Sequence, residues 1–254
     1  MSSLILTLIV FISLSAGAFL GMGLRRRLPA HHLDEGSKDV VRVAMSLVAT
    51  MAALVLGLLV TSAKGSYDNR ISQFNQLSAN IVLLDAALGQ YGPETKEARD
   101  LLRRAATSML ARAWPQDAIP SSTSEVGDTT MMSRALYARI QELTPQNDMQ
   151  RRLQTQALAI GTTLGSTRWL LAAQQESSII PMPFMVVLVF WLSILFASFG
   201  LFAPFHATIV ATISLCALSV SGAIFLILEL ARPFDGIIQI SSAPLRYAIS
   251  QLGQ

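Results

Sequence analysis

Small and hydroxyl-bearing side chains recur along one apolar segment, residues 40–63, at the spacing of a helical turn. They are Ser46, Thr50, Ala53, Gly57 and Thr61. Because residues three and four apart share one face of an α-helix, the pattern predicts a narrow, weakly polar stripe. In a membrane helix such a stripe either packs closely against a neighbouring helix or faces a water-filled path. Close packing is the more common of the two.

The segment that carries this stripe is long enough to cross a bilayer, because about 20 apolar residues span the hydrocarbon core. Similar apolar segments occur at residues 4–24, 183–202 and 207–230. Only 14% of the residues are charged, whereas soluble domains carry about 25%. The sequence therefore predicts an all-α membrane protein with four transmembrane helices.

Residues 64–178 lie between the second and third apolar segments and show helical periodicity with no strand pattern. A seam at three-four spacing predicts that the second helix runs on to about residue 90, with Gly65 as the expected point of any bend. The seam residues are Phe74, Leu77, Ile81, Leu84 and Leu88. We expect this seam to pack against copies of the chain.

The predicted division of the chain has four parts. Residues 1–63 hold the first two spans, 64–178 a helical extramembrane domain, 179–232 the last two spans, and 233–254 an amphipathic C-terminal tail. Within the extramembrane domain, a helix over residues 94–113 is expected to turn Ala98, Leu101, Ala105 and Met109 inward. Its arginines, Arg99 among them, are interpreted as a solvated face.

The other chemistry-bearing residues argue against several classes of function. The net charge of +3 is small and scattered, which does not favour nucleic acid as a partner. The adjacent His31 and His32 lie near Asp34 and Glu35 but lack the spacing of metal ligands, and His206 lies far away. No nucleophile motif or Walker-type loop occurs. We expect no catalytic residue, no metal and no cofactor, and an enzyme is the least favoured class.

One ionisable residue lies at the end of the fourth apolar segment. Glu229 precedes Arg232 by three positions, so the two can face each other on a helix. An acidic group at the membrane edge is either a functional site or half of a local ion pair. The residues alone leave both alternatives open.

Three runs of residues resemble the bestrophin channels and their bacterial relatives. The first is Val55-Leu56-Gly57, followed by a serine- and tyrosine-containing exit at residues 62–67. The second is Ile-Pro-Met-Pro-Phe at 180–184, similar to the family's proline-x-proline-phenylalanine. The third is Glu-Leu-Ala-Arg-Pro-Phe-Asp-Gly at 229–236, similar to the family's glutamate-leucine-x-x-proline-phenylalanine run.

The resemblance implies a homo-oligomeric ion channel, with a pentamer as the expected state, whose second helices line a pore for small inorganic ions. The pore-lining candidates are Ser46, Thr50, Ala53, Leu54, Gly57, Leu58 and Thr61. Leu54 and Leu58 are nominated for the apolar neck that bestrophins place near this glycine. Glu229 and Asp235 are further candidates. The acidic cluster that binds calcium in animal members is missing, so calcium regulation is not expected.

A non-conducting membrane scaffold or sensor, whose helical domain binds a partner, is the alternative function. In that case the stripe on the second span serves packing alone. Substitutions at Thr50 would then harm assembly, and no transport would be measured.

Two criteria orient the chain differently in a bacterial inner membrane. The connection between the first two spans carries Arg25, Arg26, Arg27, Lys38 and Arg42, and no lysine or arginine precedes the first span. The positive-inside rule places this connection in the cytoplasm and the domain 64–178 outside. The resemblance implies a cytoplasmic domain instead. The expectation from the sequence follows the charge count.

Overall fold

The computed structural model describes residues 3–29, 35–115, 129–176, 182–232 and 236–253, and this part contains helices and no β-strand. The helices are α1 Ser3–Arg25, α2 Glu35–Tyr91, α3 Lys96–Ala113, α4 Thr129–Gln141, α5 Asp148–Glu176, α6 Met182–Phe202, α7 Ala207–Leu230 and α8 Ala243–Gln251. By length and apolar composition, α1, α2, α6 and α7 are candidate membrane spans. The predicted all-α class with four transmembrane helices is confirmed.

The chain divides into two compact units. The first, here called the membrane unit, consists of Met1–Tyr67 and Ser178–Ile238, and the second, the helical unit, consists of Asp68–Ser177 and Gln239–Gln254. The membrane unit holds α1, α6, α7 and the apolar part of α2, which is its membrane-spanning part. The helical unit holds the rest of α2 together with α3, α4, α5 and α8.

Helices α1 and α6 pack through their backbones within the membrane unit. A Cβ atom added to Gly21 would lie 2.0 Å from the carbonyl oxygen of Ala197, and one added to Gly200 would lie 2.0 Å from that of Ala18. Neither position can hold a larger residue without moving a helix. Closely packed helix pairs in lipid use glycine in the same way. The hydrophobic effect does not draw helices together in lipid, and close contact between their backbones provides the attraction instead.

Helix α2 runs without interruption through Gly65 to Tyr91, so the predicted continuation of the second span is confirmed. Its 57 residues correspond to about 85 Å at 1.5 Å per residue. The helix stops because Gly92 adopts a φ of 138°, a conformation that favours glycine. Pro93 then opens a short 3₁₀ turn before α3.

The apolar seam of α2 is buried inside the helical unit. Its residues Phe74, Leu77, Ile81, Leu84 and Leu88 are each at most 4% exposed. The ring of Phe74 lies 5.0 Å from that of Trp114, and the hydroxyl of Thr95 donates to the carbonyl of Leu88 at 2.6 Å. The expectation that this seam packs against copies of the chain is therefore wrong, because α3 and its flanking residues already cover it.

An ion pair between a buried carboxylate and a partly buried arginine joins α2 to α3 in the helical unit, outside the membrane-spanning part of α2. Asp85 is 5% exposed and accepts two hydrogen bonds from Arg99 at 2.8 Å and one from the Gly253 backbone at 3.1 Å. Burial raises the pKa of Asp85, but these hydrogen bonds and the arginine charge hold it below its ordinary value. The indole of Trp114 donates to the carbonyl of Ile240 at 2.9 Å. The C-terminal stretch is thereby fixed to α2 and α3.

Candidate pore-lining face of the second helix

All seven pore-lining candidates are exposed on one side of α2. At about 100° per residue, the five stripe positions occupy roughly 80° of the helix circumference. Leu54 and Leu58 lie beside the stripe, about 20° and 60° beyond its edge, and are 65% and 70% exposed. The structure thus brings these candidates together as one continuous surface, which we call the stripe face.

The opposite side of α2 is the one that packs within the membrane unit. Ala52, Leu59 and Ala63 are buried in the core formed with α1, α6 and α7. They lie about 120–160° around the helix from the centre of the stripe. Of the 18 most apolar consecutive residues of α2, only 6% are buried, against 17–28% in the other spans. The chain's own described helices therefore do not close over the stripe face.

The hydroxyl groups of the stripe are satisfied within the helix itself. Ser46 donates to the carbonyl of Val43 at 2.7 Å, Thr50 to that of Ser46 at 2.9 Å, and Thr61 to that of Gly57 at 2.9 Å. Back-bonding of this kind lets serine and threonine lie on a membrane helix without an unsatisfied donor. A Cβ added to Gly57 would meet no atom within 4 Å. Packing within the single chain therefore gives no reason for a glycine at this position.

Charged side chains continue the stripe face at both ends. Asp39 and Arg42 form an exposed ion pair at 3.1 Å before the stripe begins. Lys64, three positions after Thr61, is exposed, and its Nζ lies 5.8 Å from the centre of the Tyr67 ring. Reasoning from the sequence used Arg42 in the charge count that orients the chain and assigned none of these three residues to the stripe. Their three-four spacing from the stripe was the signal that placed them on its face.

Glu229 lies away from the stripe face, and its carboxylate is buried among hydrogen-bond donors. Its side chain is 3% exposed and accepts hydrogen bonds from Ser3 and from the backbone N–H of Ile237. No salt bridge to Arg232 is present among the described residues. A Cβ on Gly236 would lie 2.5 Å from a carboxylate oxygen of Glu229. The carboxylate thus ties the start of α1 to the turn after α7.

The other candidates singled out in the sequence give no site. Asp235 lies outside the described residues, as do His31 and His32. His206 is exposed at the start of α7. Within the described ranges, no group of three or more histidine, cysteine, aspartate or glutamate side chains is placed to hold a metal ion.

Comparison with known proteins identifies the fold and the family. One similar structure is a variant of a bacterial bestrophin homolog from Klebsiella pneumoniae, which has a TM-score of 0.69, 16% identity and coverage of 100% of both chains. A second structure of a bestrophin homolog from the same organism has a TM-score of 0.67 and 14% identity, and it covers 98% of this chain and 97% of that one. No curated protein matches the chain.

The structural likeness, at these identities, establishes the fold alone. Family membership rests on a separate finding, a match to the model of the Bestrophin-like domain over residues 12–245. This range includes the stripe face, Glu229 and most of the helical unit. The chain belongs to the bestrophin-like family.

Proposed function

We propose that the chain forms a homo-oligomeric ion channel, a pentamer, in which copies of α2 line a central pore for small inorganic ions. The observation that carries the proposal is the exposure of the stripe face, on the side of α2 opposite to its packing face. Membership of the bestrophin-like family supports the same assignment, because bestrophins are known as ion channels.

The chemistry of the stripe face favours a wet axis over lipid. Hydrocarbon offers no partner to a hydroxyl oxygen, so serine and threonine gain nothing there. Around a shared axis the same side chains are small enough to leave space and polar enough to wet the wall. Leu54 and Leu58, beside the stripe, then narrow the path, and an apolar constriction of this kind gates by dewetting.

A matched pair of threonines tests the proposal. Thr50 lies on the stripe face, whereas Thr212 lies on α7; both are exposed, and each donates to the carbonyl four positions earlier at 2.9 Å. Replacement by valine removes one hydroxyl at either place. In planar bilayers, Thr50→Val should change the single-channel conductance by about five-fold, the effect of roughly 1 kcal/mol on the permeation barrier. Thr212→Val should leave it unchanged.

A second substitution tests the geometry of the pore. Gly57→Leu adds a large apolar side chain where the single chain has open space, so the subunit should fold normally. In the proposed oligomer the added leucines meet near the axis and should abolish current. Silent bilayers from the wild type, with the oligomer intact by size-exclusion chromatography, would contradict the channel and favour the scaffold or sensor.

The orientation of the helical unit is a further part of the proposal. We place this unit in the cytoplasm, as the family resemblance implies. The family match covers residues 12–245, whereas the opposing charge count depends on only five residues. With four spans, the C-terminus lies on the same side. A C-terminal green fluorescent protein should fluoresce, and a C-terminal alkaline phosphatase should be inactive. The reverse pattern would restore the orientation predicted from the charges.

A further inference from the structure

Three consecutive arginines follow the first span, and we call them the arginine turn. Arg25 is the last residue of α1, and Arg26 and Arg27 form the turn after it; all three are exposed. The N–H of Arg26 donates to the carbonyl of Gly23 at 3.2 Å, and that of Arg27 donates to the carbonyl of Leu24 at 2.9 Å. A hydrogen-bonded stretch of backbone therefore carries three cations directly beyond an apolar helix.

The connection between the third and fourth spans, residues 203–206, lies beside the arginine turn within the membrane unit. The guanidinium carbon of Arg26 lies 5.5 Å from the centre of the Phe205 ring, which is the geometry of a cation–π contact. Phe205 is 61% exposed. Because both connections join consecutive spans, they emerge on the same face of the bilayer. The contact therefore sets an exposed ring beside a fixed positive charge at the ends of two pairs of spans.

The charges of the arginine turn are not balanced within the described part of the chain. No aspartate or glutamate that the structure describes forms an ion pair with any of the three arginines. The helix dipole favours a cation in the last turn of a helix, where only Arg25 lies. Three adjacent like charges also repel one another. An anion bound among them would relieve this repulsion.

We propose that the arginine turn and Phe205 form a binding site for the head group of an anionic phospholipid. The phosphate lies among the three guanidinium groups, whose planar forks donate paired hydrogen bonds to phosphate oxygens. The Phe205 ring holds Arg26 in place for this contact. Basic clusters directly beside a span attract anionic head groups in the same way.

The apolar surface next to the arginine turn favours a lipid over a free phosphate. Leu20 and Leu24, four positions apart on one face of α1, are 72% and 51% exposed. They offer an acyl chain a path that leads along the helix to the arginines. A soluble phosphate would use neither these leucines nor the exposed ring of Phe205. This assignment does not depend on ion conduction, and it holds in either orientation of the chain.

The test compares phosphatidylglycerol and phosphatidylcholine, each with a fluorescent label on an acyl chain, binding to the full chain in dodecyl maltoside micelles. The wild type should bind phosphatidylglycerol about ten-fold more tightly, because the choline cation cancels the phosphate charge that the arginines recognise. Replacing the three residues of the arginine turn by glutamine should bring this ratio close to one. The matched control replaces three exposed arginines of the helical unit by glutamine and should preserve the ratio; they are Arg104, Arg151 and Arg152.

Two further arms test the geometry and the source of the phosphate. Phe205→Leu removes the ring and keeps the charge, so it should lower the ratio about three-fold, whereas Phe205→Trp should preserve it. Glycerol 1-phosphate, which has the phosphate ester without acyl chains, should not displace labelled phosphatidylglycerol.

Four results would overturn the proposal. Equal affinity of the wild type for the two lipids would show that the head group is not recognised. An equal loss in the control variant would assign the preference to net charge alone. Displacement by glycerol 1-phosphate at the concentration that phosphatidylglycerol itself requires would identify a soluble phosphate ester as the ligand. Loss of the oligomer in the variant without the three arginines, seen by size-exclusion chromatography, would show that a neighbouring copy of the chain covers the arginine turn.

Discussion

Replacing Gly21 by alanine should destabilise the membrane unit, because α1 and α6 touch at this point through their backbones. The added Cβ would lie 2.0 Å from the carbonyl oxygen of Ala197 and 2.9 Å from the backbone nitrogen of Leu201. Even a close contact between carbon and oxygen needs about 3.3 Å. The helices must therefore separate by about 1 Å or more, and overpacking of this kind costs about 1–3 kcal/mol.

A control lies two positions away on the same helix. A Cβ added to Gly23 would meet no atom within 4 Å, so Gly23→Ala should leave stability unchanged or raise it by up to about 1 kcal/mol through helix propensity. Thermal unfolding in detergent, followed by circular dichroism, separates the two variants. Each kcal/mol corresponds to about 2–4 °C in a chain of this size, so Gly21→Ala should melt several degrees below Gly23→Ala.

Equal melting temperatures of the two variants would refute the argument from backbone contact. A double variant sharpens the test. Combining Gly21→Ala with Ala197→Gly should give no recovery, because the obstacle is a carbonyl oxygen that every residue carries. Recovery in the double variant would mean that side chains, and not backbones, set the distance between α1 and α6.

Two further predictions concern charged groups. Asp85→Asn should destabilise the helical unit near neutral pH by on the order of 2 kcal/mol, because Arg99 loses a buried carboxylate. Since the native pKa of Asp85 is lowered, its contribution is complete above the unfolded pKa of about 3.9 and is lost as the pH falls through the native pKa. Melting curves of wild type and variant should approach each other below about pH 4, whereas Glu97→Gln, in an exposed ion pair, should follow the wild type throughout. Lys64→Glu reverses the charge at one end of the stripe face. In a potassium chloride gradient it should shift the reversal potential towards the equilibrium potential of potassium, whereas the control Lys96→Glu, on α3, should not. Equal shifts in the two variants would exclude an effect specific to the stripe.

Periodicity was sufficient to predict the fold class and the length of α2. The apolar segments are long and lightly charged, and the seam from Phe74 to Leu88 keeps helical spacing beyond the membrane. The same pattern could not identify what covers the seam. The sequence pattern of an apolar face is the same whether the face packs against another copy of the chain or, as here, against Trp114 and other residues of the same chain.

The orientation of α3 shows the limit of local patterns. The predicted inward face of α3 included Ala105 and Met109. The structure instead buries Leu102, Ala106 and Leu110. Ala105 and Met109 line a cavity within the helical unit. Two neighbouring apolar faces share this helix, and only the tertiary partners decide which one is buried. For the same reason Arg99, predicted to be solvated, is paired with a carboxylate 14 positions earlier in the chain.

The candidate site was predictable in part. Spacing alone placed Ser46, Thr50 and Thr61 on one side of α2, because helical geometry fixes which residues share a face. It could not show that the rest of the chain packs on the opposite side, since that depends on where α1, α6 and α7 lie. Glu229 was recognised as unusual, but its partners at Ser3 and Ile237 are distant or outside the helix, so no local rule could find them.

In the proposed pore, the inward donation of three hydroxyls determines what the wall formed by α2 offers a passing solute. Ser46, Thr50 and Thr61 each commit their one hydroxyl hydrogen to a carbonyl of their own helix, so each turns outward only oxygen lone pairs. Water and ammonium, which bring their own hydrogens, find ready acceptors there. A bare halide finds a donor only when a hydroxyl rotates away from its carbonyl, at about 1 kcal/mol for each bond broken. Rotamer choice, as well as formal charge, thus gives this wall a bias between solutes of opposite sign.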